Sequence, residues 1–224
     1  IPEFYDGDIS GSVMVNGMNT FTTPIYKLSK NVGSVFQNPK TQFYTTNTTD
    51  EIAFGLENYG IEREVINKRI EEVEKELHLE NLMNKNIFNL SGGEKQKIAF
   101  ASVYAMNPCV YLLDEPSSNL DIETVASLRA HLKMLKSQGK TVLIVEHRLY
   151  YLMGIADRII VFDEGQIKKV YSAQEFLNLT DEERRIMGLR TTDLRKEVPE
   201  VIMDEEREIG LELKNVSLYY GKKP

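Results

Sequence analysis

The stretch Leu90-Ser91-Gly92-Gly93-Glu94-Lys95-Gln96 places two glycines at the start of a predicted helix. Ser91 and Glu94 have the S-x-x-E spacing of a capping box, which satisfies helix N–H groups and needs no ligand. A capping box does not by itself explain two successive glycines, since glycine costs about 1 kcal/mol against Ala inside a helix. Glycines in the first turn let a ligand approach the free backbone N–H groups, and those donors with the helix dipole favour an anion such as phosphate. The residues alone leave both readings open. A second stretch, Val110-Tyr111-Leu112-Leu113-Asp114-Glu115-Pro116, is an apolar strand that ends in two carboxylates. Charges at the end of a buried strand are costly unless they are used. Asp114 could hold Mg²⁺, directly or through water, and Glu115 could orient or deprotonate an attacking water. The plain alternative is a helix N-terminus decorated with acids.

The elements that must position these stretches are legible from hydrophobic spacing. Residues 8–17 read as a strand closed by the turn Asn16-Gly17, and Val32–Phe36 as a short strand stopped by Gln37-Asn38-Pro39. Over Glu62–Leu79 the residues Ile66, Ile70, Val73 and Leu77 recur on one face of an amphipathic helix. A helix from Ser91 runs to Asn107-Pro108. Val110–Leu113 and Thr141–Val145 are continuous apolar runs, typical of strands buried on both faces of a parallel sheet. Between them, residues 122–138 form a helix stopped by Gly139, with Asp121 placed to cap it. A short helix over Leu149–Ile155 and a hairpin of Ile159–Phe162 with Gln166–Val170 follow. Ser172-x-x-Glu175 and Thr180-x-x-Glu183 are capping boxes that open short helices. Residues 190–208 are charged and read as a linker, and Leu211–Tyr220 returns to strand alternation. Strands alternating with helices give an α/β domain with a mainly parallel sheet.

Composition narrows the function. The net charge of -7 argues against nucleic acid as a partner. One cysteine, Cys109, forms no internal disulfide and reads as a small core residue. No run approaches the roughly 20 apolar residues that span a bilayer, and no signal-peptide pattern opens the chain.

Five features now stand in one order. Gln37 follows a strand, Leu90–Gln96 opens a helix, Val110–Glu115 is the strand with two acids, Ser118-Asn119-Leu120-Asp121 follows it, and His147 comes just after Thr141–Val145. In this order they resemble the Q-loop, signature motif, Walker B strand, D-loop and switch histidine of ABC-type ATPase domains. The resemblance implies a P-loop NTPase-like α/β fold with an inserted helical subdomain (about 44–107) and an antiparallel hairpin. It implies ATP and Mg²⁺ as the bound species. Glu115, His147 and Gln37 would be catalytic, and Asp114 and Gln37 would serve the metal. Ser91, Gly92, Gly93, Glu94 and Gln96 would face the ATP of a partner domain in a head-to-tail dimer, with Asp121 reporting across the interface.

Phe36-Gln37-Asn38-Pro39 with Gln42, and Glu146-His147-Arg148-Leu149 with Tyr150-Tyr151-Leu152, further resemble the tandem ATPases of energy-coupling-factor importers. Those take up vitamins or transition-metal ions through membrane-embedded subunits, so a place on the cytoplasmic face of the membrane is expected. The expected organisation is a first ATPase domain over 1–172, short helices and linker over 173–208, and the first strand of a second domain over 209–224. Tyr220 would be its adenine-stacking aromatic. No G-x-x-x-x-G-K-S/T loop occurs in the 224 residues, so the chain is expected to hold half a site and to be inactive by itself. A soluble tandem protein acting on ribosomes or nucleic acid shares several of these motifs. The acidic charge and the Tyr150-Tyr151 context disfavour it.

Overall fold

In a computed structural model, which describes residues 8–118, 120–196 and 214–217, Asn16 and Gly17 both take positive φ (46° and 76°). Two such residues twist a hairpin the way paired strands twist. They join β1 (Met14–Val15) to β2 (Met18–Asn19), antiparallel. The strand expected over 8–17 is therefore formed only at Met14–Val15. A one-turn helix α1 (Ile25–Leu28) leads to β3 (Val32–Val35).

Two helices follow. Asn47 caps α2 (Thr48–Asn58) by accepting from the amides of Thr49 and Asp50. In α3 (Arg63–Leu77) the expected face of Ile66, Ile70, Val73 and Leu77 is buried. Burial of each such side chain is worth about 1.5–3 kcal/mol relative to exposure. Polar ties lock this block to the chain that follows it. The Thr48 hydroxyl donates to Leu82 O at 2.7 Å and accepts from Lys85 N at 3.1 Å. The buried Glu51 carboxylate accepts from the amides of Tyr44 and Thr45 at 3.0 and 2.8 Å.

Helix α4 (Gly92–Ala105) carries Ile98, Ala99, Phe100, Ala101, Val103, Tyr104 and Ala105, all buried. A helix apolar around most of its circumference belongs in the interior, and α4 packs on α2, α3 and β3. β3 approaches it closely: a Cβ at Gly33 would lie 2.3 Å from Val103 Cγ1. Next come β4 (Val110–Asp114), α5 (Ile122–Ser137) and β5 (Thr141–Val145). β3, β4 and β5 form a parallel sheet in that order, with Val35 opposite Leu113 and Asp114 opposite Val145. The apolar runs of β4 and β5 suggested burial on both faces. The structure buries Tyr111 and Leu113 on one face, while Leu143 and Val145 on β5 are 54% and 59% exposed. Among the described residues, α4 and α5 cover only one face.

The short helix expected over Leu149–Ile155 is a 3-10 turn, Tyr150–Leu152. Its carbonyls are diverted: the Arg129 guanidinium donates to Tyr151 O and, at 2.8 Å, to Met153 O. β6 (Arg158–Asp163) and β7 (Gln166–Ser172) make the expected hairpin, turning at Glu164 and Gly165. Ser172 and Thr180 then cap α6 (Ala173–Leu177) and α7 (Asp181–Ile186), both with reciprocal capping boxes.

The chain divides into two compact units, Ile1–Thr192 and Asp193–Pro224. In the second, Leu194–Lys196 is a 3-10 turn and the Arg195 guanidinium donates to the Asp193 carboxylate. Residues 197–208 of the expected linker, and 211–213 and 218–220 of the expected strand, lie outside the described residues. Residues 214–217 are exposed and are not in a strand.

Under the sheet, His131 of α5 is 8% exposed and stacks on Phe100, ring centroids 5.2 Å apart. Burial, reinforced by Lys97 and His78, lowers its pKa from 6.5 to about 4. The folded state thus prefers the neutral ring, and the unfolded chain binds the extra proton between those values. Stability is full above pH 6.5 and falls as pH drops toward 4. The loss amounts to about 3 kcal/mol at most. Urea melts across this window are expected to show that slope, and His131→Phe to flatten it.

Candidate active site

The three parallel strands end side by side, and each delivers a polar residue just beyond its last rung. Gln37 lies two residues past β3, Glu115 one past β4 and His147 two past β5. Gln37 Nε2 donates to Glu115 Oε2 at 2.9 Å, and His147 Nε2 lies 3.3 Å from Glu115 Oε1. One carboxylate therefore faces a donor from each neighbouring strand. The crevice beyond the carboxyl ends of a parallel sheet is where such folds bind ligands. The His147 side chain is 67% exposed and that of Glu115 26%, so the trio is reachable from solvent.

Glu115 reaches this place through its backbone. Its φ is +39°, a left-handed conformation that costs a non-glycine residue roughly 1–2 kcal/mol. Its amide still donates to Val145 O at 2.9 Å, extending the β4–β5 ladder by one bond. Strain persists where the surroundings over-determine it, and that happens most at functional sites. Asp114, the last residue of β4, is exposed beside it.

The segment after β3 is fixed by residues whose role the sequence did not reveal. Gln42 accepts from Phe36 N at 3.2 Å and donates to Ala99 O of α4 at 3.2 Å. Asn38 caps the 3-10 turn Pro39–Thr41. Glu146, which the sequence marks only as a neighbour of His147, is likewise a carboxylate at the end of an apolar strand, the signal that marks Asp114 and Glu115. It accepts from Ser117 N, His147 N, Arg148 N and the Tyr151 hydroxyl at 3.3, 2.8, 2.9 and 2.7 Å. Burial acts to raise its pKa, but hydrogen bonds from Arg148, Ser117, Tyr151 and His147 outweigh burial and lower it.

The second group sits on the N-terminus of α4. Ser91 Oγ accepts from Glu94 N, and Glu94 Oε2 accepts from Ser91 N at 2.8 Å, so the capping box is real. The Ser91 amide hydrogen bond, opposed by burial and helped by the Ser91 hydroxyl, Lys85 and Lys97, lowers the Glu94 pKa. The cap leaves the first-turn amides Gly92 and Gly93 without intrahelical acceptors. Gly93 also has a packing reason: a Cβ there would lie 3.2 Å from Thr124 Oγ1 of α5. Gln96 is 7% exposed, and Lys95, 9% exposed, donates to Leu90 O at 2.6 Å. The accessible part of the motif is therefore Ser91–Glu94, with Gln96 turned into the interior.

Among the described residues, no hydrogen bond or ion pair joins this helix end to the Gln37–Glu115–His147 trio. Asp121 caps α5, accepting from Thr124 N at 2.7 Å, a bond that with the Thr124 hydroxyl lowers its pKa. Its neighbour Asn119 and the distant Tyr220 lie outside the described residues. No group of three or more His, Cys, Asp or Glu able to hold a metal ion occurs among the described residues. A metal at Asp114 would take most of its ligands from a bound phosphate and water, which is the habit of Mg²⁺ in nucleotide sites.

Residues 4–118 match the family model described as ABC transporter. The chain is 48% identical over 194 residues to an ABC transporter ATP-binding protein of Treponema denticola, covering 87% of this chain and 40% of that protein. It is 34% identical over 208 residues to one of Pyrococcus horikoshii, covering 93% and 79%. The chain spans 40% and 42% of the length of two Treponema denticola relatives. Among solved structures it is similar to cbiO1 of Clostridium perfringens, part of the ABC transporter complex cbiONQ. There the TM-score is 0.69 at 28% identity, over 79% of this chain and 72% of that one.

The cap at Ser91 makes a separate structural demand. Ser91→Ala removes the acceptor for Glu94 N and is expected to cost about 1 kcal/mol in chemical denaturation. Ser91→Thr keeps the acceptor and is expected to keep most of that stability.

Proposed function

The chain belongs to the ABC transporter family, and on that premise we propose that it is part of an ATP-hydrolysing component of an energy-coupling-factor type importer for a vitamin or metal ion. The observation that carries the hydrolytic part is the Glu115 carboxylate held between Gln37 Nε2 and His147 Nε2 at 2.9 and 3.3 Å. A carboxylate oriented from both sides is placed to accept a proton from an attacking water. Gln37 positions that water, and His147 donates toward the γ-phosphate as charge builds there. Asp114 and Gln37 are the oxygen donors for Mg²⁺, which when bound with ATP neutralises phosphate charge.

Ser91, Gly92 and Gly93 present a hydroxyl and open amides to the γ-phosphate of ATP held by a partner domain, arranged head to tail. Glu94 and Gln96 act by shaping that helix end, Asp121 lies at the same interface, and Tyr220 stacks on adenine of a second domain. The phosphate loop comes from outside these 224 residues, since no G-x-x-x-x-G-K-S/T occurs within them. No helix among the described residues is long and apolar enough to cross a membrane. Membrane-embedded partner subunits, with this chain peripheral on the cytoplasmic face, complete the reading. The similarity to cbiO1, part of a cbiONQ complex, supports it.

The test uses these residues joined to a phosphate loop of their own, together with a partner domain that carries its loop. Glu115→Gln is expected to lower ATP turnover by about 10²-fold or more with the melting temperature kept. Ser91→Asp keeps a capping acceptor but sets a negative charge where the phosphate docks, so turnover falls while stability holds. Unchanged turnover in either variant contradicts the assignment. Failure to co-purify any membrane subunit contradicts the importer reading.

A further inference from the structure

His147 is flanked by two charged residues that both reach the loop after β4. The Glu146 carboxylate accepts from Ser117 N at 3.3 Å, and at the same time from the amides of His147 and Arg148 at 2.8 and 2.9 Å. The Arg148 guanidinium reaches the same loop with opposite polarity. It donates to Leu120 O at 3.1 Å and to Ser118 O at 3.4 Å. Three hydrogen bonds from two side chains therefore fasten Ser117, Ser118 and Leu120 to the backbone that carries the imidazole. Tyr151, 2% exposed, anchors the far side by donating to Glu146 Oε2 at 2.7 Å. On the other side, Leu120 is followed by Asp121, which caps α5.

We propose that Glu146 and Arg148 are positioning residues that bind His147 to Ser117, Ser118 and Leu120 of the loop after β4, and so set where the imidazole meets Glu115. This rests on the reading of Glu115 and His147 as hydrolytic residues, but the contact itself stands without it. The His147 side chain is 67% exposed, and little packing fixes its ring. Its backbone must then be fixed by other means, and it is held by charge-assisted bonds, roughly twice as strong as neutral ones. An acceptor and a donor on either side of one residue resist both sliding and rotation of that residue. Those loop residues and the imidazole then move together or not at all, so any displacement of Ser117, Ser118 and Leu120 is transmitted to the Glu115 contact.

The experiment is NMR on the 224-residue chain, which has three histidines, so the His147 ring signals are separable. Glu115→Gln defines the ring signals of a weakened contact. Arg148→Met is expected to shift the His147 ring signals in that same direction and to speed amide exchange at both Leu120 and His147 by about tenfold. Arg148→Lys, which retains one donor, is expected to fall between Arg148→Met and the parent chain. It also serves as the test if Arg148→Met does not fold. Faster exchange confined to 117–121, with the His147 ring and amide unchanged, overturns the proposal, because Arg148 would then staple the loop only. A failure of the hydrolytic reading shows elsewhere, as turnover indifferent to Glu115, and leaves this coupling intact.

Discussion

A carboxylate at the end of the middle strand of a parallel sheet needs partners, and here both neighbouring strands supply one. Glu115 leaves β4 at positive φ, and its two oxygens meet Gln37 and His147. Much of the first unit can be understood as support for that meeting. Gly33 lets β3 lie against α4. Gln42 ties the segment after β3 to the same helix. Glu146 holds the start of the segment after β5. The donors come from chain segments 78 and 32 residues away in sequence, and only the parallel register brings them together.

The other chemically marked feature is built differently. At Ser91–Glu94 the cap and the open amides are two consequences of one helix end. The reciprocal Ser91–Glu94 bonds stabilise α4, and Gly92 and Gly93 still present amides outward. Gly93 is also small because α5 passes close to it. The cap and the open amides therefore do not compete. With the trio on the sheet edge and this motif on a separate helix end, the proposed reading assigns them to two nucleotides, one served by the trio and one held by a partner domain. Neither group includes a G-x-x-x-x-G-K-S/T loop, which does not occur in these 224 residues.

Strong periodic signals were legible in the sequence. The α3 face, the caps at Ser91, Asp121, Ser172 and Thr180, and the turns at Asn16-Gly17 and Glu164-Gly165 appear as read, because each rests on residues that follow one another at spacings of four or fewer. What failed was decided at a distance. The apolar runs of β4 and β5 could not report how many layers cover the sheet. The 149–155 segment could not show that Arg129, on another helix, takes its carbonyls. For the site, the motif order named Gln37, Glu115 and His147, but their mutual contacts required the fold. Gln96 matched the motif by spacing, yet the helix turns it inward. Glu146 and Arg148 were legible only as neighbours of His147, since their partners lie across a strand crossing.

The proposed reading leaves these residues without a phosphate cradle of their own. Its most direct test is calorimetric titration of the 224-residue chain with ATP and Mg²⁺. No saturable binding is expected, with or without Asp114→Asn. Saturable binding that Asp114→Asn abolishes would contradict it, because the chain would then hold the phosphates by itself.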